Sequence, residues 1–196
     1  PAEPLFRSRD YEFTAGTAGN YSVTPVNGQL TMTNASKAIT ITAASQAWTY
    51  NGSPHSNNAV TVTSGSLLAG DVLVATATGS ATNVADTEEG NNPIAEGYKI
   101  MHDEEDVTAN YTITPVAGKL TINPRAVTVT AQDNAFVYTG EAQSWPEYDV
   151  DGLIGSDAIT AVVTGSITFP SESPVTNELT SYEFTSGTAD NYTVTT

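Results

Sequence analysis

The chain has 196 residues, 39% hydrophobic and only 14% charged, enough for one ordinary domain or two small ones with closed cores. A net charge of −16 and a pI near 4.1 repel phosphate backbones and anionic bilayers, which excludes nucleic acid and acidic lipid as partners. The absence of cysteine excludes disulfides, thiolate metal sites and thiol catalysis, and no apolar run is long enough for membrane insertion.

Thr makes up about a sixth of the residues and alternates with Val, Ile and Tyr in short runs, a strand composition. In chain order, "YEFTAGTAGNYSVT" from Tyr11 leads through Asn20-Tyr21 into "PVNGQLTMT". The alternation of Tyr21, Val23, Leu30 and Met32 around Asn27-Gly28 predicts a closing hairpin, because Asn-Gly is the strongest two-residue turn signal. "KAITITAASQAWTYNG" from Lys37 then opens a new unit, with Ile39 and Ile41 on the inward face of its first strand. "LLAGDVLVATATGS" from Leu67 predicts a turn, read as one short helix, before a middle strand at 72–78. A Tyr-led strand at Tyr98, the acidic insertion "HDEED" and a second closing stretch, "ANYTITPVAGKL", complete the unit; its hairpin turn is expected at Ala117-Gly118.

After Pro124 the pattern starts again. "RAVTVTAQDNAFVYTG" from Arg125 copies the opening, "LIGSDAITAVVTGS" from Leu153 copies the middle, and "YEFTSGTADNYTVT" from Tyr182 nearly repeats the stretch at Tyr11. The tyrosines of the Asn-Tyr pairs, Tyr21, Tyr111 and Tyr192, lie 90 and then 81 residues apart, and part of the difference is the insertion. The chain therefore reads as residues 1–36, the C-terminal hairpin of a preceding repeat; 37–123, a complete module; and 124–196, a second module lacking its last strand. The fold expected is mainly β with little helix, two small modules end to end. With no linker at Asn123-Pro124, the junction is expected to be stiff.

Three ordered landmarks occur twice: the Tyr-x-Gly turn (Tyr50-Asn51-Gly52 and Tyr138-Thr139-Gly140), "LLAGD" or "GLIGSD", and the closing "NYTITPVAGKLTI" stretch. Together they resemble the MBG/YDG-type repeat domains, found in tandem in large adhesin-like surface proteins of bacteria. Ser156 departs from that pattern, and Pro25 and Pro115 stand where an aromatic often does. The resemblance implies a β-grasp-like extracellular module on the bacterial cell surface, working as a stalk or spacer, with neighbouring repeats as its first partners and no catalytic residues.

Candidate sites can be weighed by whether both copies carry them. Trp48 with Tyr50 and Phe136 with Tyr138 recur at one place and read as core or turn packing. Trp145 and Tyr148 have no aromatic counterparts in the first copy, which makes them the candidate platform for a host glycan or protein. Glu147, Asp149 and Asp151 precede Gly152 at alternate positions, like the start of a Ca²⁺ loop, although Ala158 stands where such a loop needs its bidentate Glu. Asp103, Glu104, Glu105 and Asp106 crowd beside His102, which suits a hydrated loop or a weak divalent-ion site. With His55 and His102 in unrelated loops and no nucleophile or phosphate motif, the chain reads as a non-enzyme. A module without its closing strand leaves an open edge, so head-to-tail self-association through the hairpin at Tyr11–Met32 is a further expectation.

Overall fold

The computed structural model describes residues 14–24 and 26–196, so the start of the expected hairpin stretch, Tyr11 to Phe13, and the position of Pro25 lie outside the described residues. The chain divides into two units, 1–33 and 34–196. In the first, the described residues hold one 3₁₀ turn, Ala18–Asn20, and no strand. Leu30 and Met32 are fully exposed there.

The second unit is mainly β, with short 3₁₀ turns and no α-helix among the described residues. The first repeat contributes β1 (Lys37–Ala43), β2 (Gln46–Thr49), β3 (Val60–Ser64), β4 (Asp71–Val74), β5 (Lys99–His102), β6 (Glu105–Asp106), β7 (Tyr111–Val116) and β8 (Leu120–Asn123). The second contributes β9 (Arg125–Ala131), β10 (Tyr148–Asp151), β11 (Ala158–Thr164), β12 (Glu178–Ser186) and β13 (Tyr192–Thr195). The short helix expected after Leu67 is a plain turn in both copies.

Both repeats are organised in the same way. β1 lies between β3, antiparallel, and β7, parallel; β9 lies between β10, antiparallel, and β13, parallel. The parallel registers match, Lys37 facing Tyr111 and Arg125 facing Tyr192. A parallel pair cannot be closed by a tight turn, so in each repeat the connection is the rest of the repeat itself.

This pairing corrects the expected closing hairpin. β7 and β8 are not partners: β7 runs beside β1, and β8 runs parallel to β2 with Gln46 facing Leu120. The two halves form one parallel ribbon bent at Ala44-Ser45 on one side and Gly118-Lys119 on the other. Three contacts hold the bend. The Lys119 amide donates to Ser45 Oγ at 2.9 Å, the Gln46 amide donates to the Lys119 carbonyl at 3.0 Å, and Gly118 exchanges two backbone hydrogen bonds with Asn92. Gly118 is required by space: a Cβ there would lie 2.2 Å from the Ala44 carbonyl oxygen. The Asn27-Gly28 stretch copies this elbow in sequence, which accounts for its lacking hairpin pairing; an isolated two-stranded ribbon is in any case marginal in water.

The core has two centres. Ile39, Ile41, Ile100 and Tyr111 join the β1 sheet to the β4–β5–β6 sheet within the first repeat. The other centre crosses the repeat boundary. Leu120, Ile122, Tyr50 and Ala81 of the first repeat pack with Val127, Val129, Ile159 and Tyr192 of the second. Alternation along β8 and β9 turns Leu120 and Ile122, then Val127 and Val129, inward, with only Pro124 between the two strands. The substitution Gly118→Ala should destabilise the unit by about 1–3 kcal/mol through overpacking at the bend, read as a lower denaturation midpoint; an unchanged midpoint would remove the steric role of Gly118.

Candidate functional site

The Asn-Tyr signature does two jobs. In the first repeat the Tyr111 hydroxyl donates to Asp71 and accepts from the Leu68 amide at 2.8 Å. In the second, the Tyr192 hydroxyl donates to Asp157 at 2.5 Å and accepts from the Ile154 amide at 3.2 Å. The tyrosine thus clasps the Leu-Leu or Leu-Ile turn of its own repeat. Burial and the Asp157 carboxylate push the Tyr192 phenol up to about 12. Its neighbour Asn191 reaches backwards. Asn191, 1% exposed, accepts from the Val84 amide at 2.9 Å and donates to Asn83 Oδ1 at 2.9 Å, both in the first repeat. Beside it the Tyr50 and Tyr192 rings meet edge-on, with centroids 5.3 Å apart.

A second asparagine, absent from the sequence-based candidates, braces the elbow. Asn92 is fully buried; its Nδ2 donates to the Ala44 and Asn57 carbonyls at 2.8 Å each, and its Oδ1 accepts from the Gly79 amide at 2.9 Å. Asn177 repeats this bracket, donating to the Gln132 and Trp145 carbonyls at 2.8 and 2.9 Å. The available signal was the same test applied to other residues: both asparagines follow a Gly-Ser pair and a variable loop in each copy.

Glu147, Asp149 and Asp151 do not form a loop. Tyr148–Asp151 is strand β10, paired along β9, so the alternation of acids is the pleat of a strand with its carboxylates facing solvent. Asp149 accepts from Gln132 Nε2 at 2.9 Å. Gly152, at φ 101°, lets the chain pass the Ala126 carbonyl, which a Cβ would approach to 2.4 Å; Gly65 does the same against Ala38. The "HDEED" stretch is equally ordered. It is the β5–β6 hairpin, with His102 facing Glu105 and Asp103 at φ 51° in the turn. Asp106 is held down to about 2 by hydrogen bonds from Thr108, assisted by Lys99 at 3.1 Å. Asp103, Glu104 and Glu105 lie exposed on the same hairpin. Among the described residues no three His, Cys, Asp or Glu side chains converge as a metal-binding group.

His102 instead pairs with Asp71 at 2.6 Å, next to the Tyr111 clasp. The hydrogen bond to Asp71 raises the His102 pKa, and those from Tyr111 and His102 lower that of Asp71. A raised histidine contributes stability that is present below its ordinary value of 6.5 and is lost as pH rises through the folded value. A lowered aspartate contributes stability that is present above its ordinary 3.8 and is lost as pH falls.

The structure separates Trp145 from Tyr148. Tyr148 packs on the core that crosses the repeat boundary. Trp145, 37% exposed, lines a groove of about 530 Å³ together with Phe136, Tyr138, Phe169 and Val175. The expected recurrent packing also differs between copies: Tyr50 is 8% exposed, whereas Tyr138 is 55% exposed at the groove. The cause is β8. In the first repeat β8 lies along β2, just before Tyr50, whereas no strand among the described residues pairs with 134–137 in the second.

No protein-family profile, curated protein or solved structure matches this chain.

Two measurements test the site. Tyr192→Phe should cost about 1.5–3 kcal/mol in chemical denaturation, because the half-buried Asp157 carboxylate loses its phenol donor. The stability difference between the native chain and His102→Gln should be largest between pH 3.8 and 6.5 and shrink on either side in pH-resolved thermal melts. A difference that grew above pH 6.5 would contradict the pairing.

Proposed function

We propose that this chain is a run of non-catalytic tandem β modules of the MBG/YDG type, acting as a spacer in an adhesin-like protein of the bacterial cell surface. The observation that carries the reading is the junction. β8 passes through the single residue Pro124 into β9, and Asn191, Tyr50 and Tyr192 fasten the second repeat to the first through buried contacts. A core shared across the boundary stiffens the joint, which is what a spacer needs. The ordered landmarks shared by both copies support the family assignment, and the strongly acidic composition suits a surface that keeps neighbouring stalks soluble and apart.

The aromatic groove beside Trp145 favours a second reading, in which the module itself takes a host glycan or protein. The two readings separate by experiment. For a spacer, ¹⁵N relaxation should show both repeats of the 34–196 unit tumbling as one body, and Asn191→Ala combined with Tyr50→Ala should let them reorient independently. A glycan and host-protein array should then show no saturable binding; binding that is lost in Trp145→Ala would replace the spacer with the second reading.

A further inference from the structure

The Tyr50-Asn51-Gly52 turn carries chemistry that its copy in the second repeat lacks. Asparagine followed by glycine is prone to cyclise, because no side chain on the second residue hinders the approach of its backbone nitrogen to the amide carbon. Here the fold also places donors where that reaction needs them. Asn51 Oδ1 accepts from the Ser53 amide at 2.9 Å and pairs with His55 Nε2 at 3.0 Å. The Ser53 amide can only donate, so the shared atom is the carbonyl oxygen, and His55 must present its Nε2–H to it. The His55 ring is held there by Trp48, stacked on it with centroids 4.8 Å apart, and its backbone by two hydrogen bonds with the buried Ala81. Among the described residues no protein acceptor engages Asn51 Nδ2 or the Gly52 amide, and Asn51, Gly52 and Ser53 are all exposed to water.

We propose that Asn51-Gly52 is a self-modifying site, at which the Asn51 side-chain amide becomes a carboxylate through a cyclic imide formed with Gly52. The Gly52 nitrogen attacks Asn51 Cγ, and the electron pair of the carbonyl moves onto Oδ1. The two donors face the oxygen on which that negative charge develops, the arrangement of an oxyanion hole. When the carbonyl re-forms, the amide nitrogen leaves as ammonia, and the Gly52 proton reaches it through solvent. Water then opens the imide at one carbonyl or the other, giving aspartate or isoaspartate; one water is consumed for each ammonia released. Ser53 and His55 bind the oxygen that the product keeps, and the departing nitrogen holds neither, so the turn suits a carboxylate at least as well as an amide. The second repeat keeps the turn without the reaction. Thr139 stands at the position of Asn51 and accepts from the Glu141 amide at 3.4 Å, and Gln143 replaces His55. A Cβ on Gly52 would lie 3.0 Å from Ile154, so the new charge appears beside the second repeat.

The test is incubation of the intact chain in mildly alkaline buffer, with conversion located by peptide mapping in a mass spectrometer. Aspartate and isoaspartate should accumulate at Asn51. The rate should fall at least about tenfold in His55→Phe, which keeps a ring against Trp48 and loses the donor. Asn51→Asp, which supplies one product directly, should have a denaturation midpoint no lower than that of the unsubstituted chain, a readout that requires no reaction. Persistence of the Asn51 amide, aspartate without isoaspartate, an unchanged rate in His55→Phe, or a lower midpoint in Asn51→Asp would each overturn the proposal.

Discussion

The parallel pairing of the first and last strands is the constraint from which the rest of this structure follows. Because β7 must lie beside β1 with the same polarity, the chain between them has to travel out and return, and that excursion builds the facing sheet of β4, β5 and β6. Because the ribbon then bends at Gly118 and continues as β8 beside β2, the end of a repeat finishes away from its own first core. Leu120 and Ile122 must bury their side chains somewhere, and the next repeat's β9 begins two residues after β8 ends. The shared core at the boundary is a consequence of the bend.

The polar residues of the repeat serve the same geometry. A bent backbone exposes carbonyls and amides that a straight ladder would pair, and in a dry interior each unpaired group costs free energy. Asn92 takes the Ala44 carbonyl with its side chain and Gly118 with its backbone, so that one residue engages both sides of the elbow. Asp86 and Glu172 play a like part in the surface loops, each accepting from two successive amides, which holds both carboxyls below the usual range. These two carboxylates are committed to backbone, whereas Asp71 is committed to side chains, those of Tyr111 and His102.

The sequence made the repetition legible because it is written in strings that align by eye, and it made the strands legible because Ile39, Ile41, Val127 and Val129 alternate on one face. It hid the partner of each strand. Asn-Gly between two alternating runs is the usual mark of a hairpin, and nothing local distinguishes a turn that reverses the chain from an elbow that keeps its direction; the distinction lies in Ala44 and Asn92, both distant in sequence. β10 was obscured for another reason. A solvent-facing strand with Asp at every second position has the same spacing as the start of a cation loop, and only its pairing with β9 decides between them. Tyr138 and Phe136 were misleading because their counterparts Tyr50 and Trp48 owe their burial to other parts of the chain, including β8 and Tyr192, and not to the local sequence.

It follows that the unit of sequence and the unit of packing are out of step. A sequence repeat begins at Lys37 or Arg125, but the apolar cluster at the boundary is half supplied by each neighbour, so neither half can be cut free without exposing Leu120 and Ile122 or Val127 and Val129. In linear repeat arrays stability divides into an intrinsic term for each repeat and a coupling term for each interface. Here the coupling term is made of fully buried aliphatic side chains, an edge-on tyrosine pair and a buried asparagine with its amide and carbonyl both engaged. Such an interface is closer in kind to a domain interior than to a contact between domains.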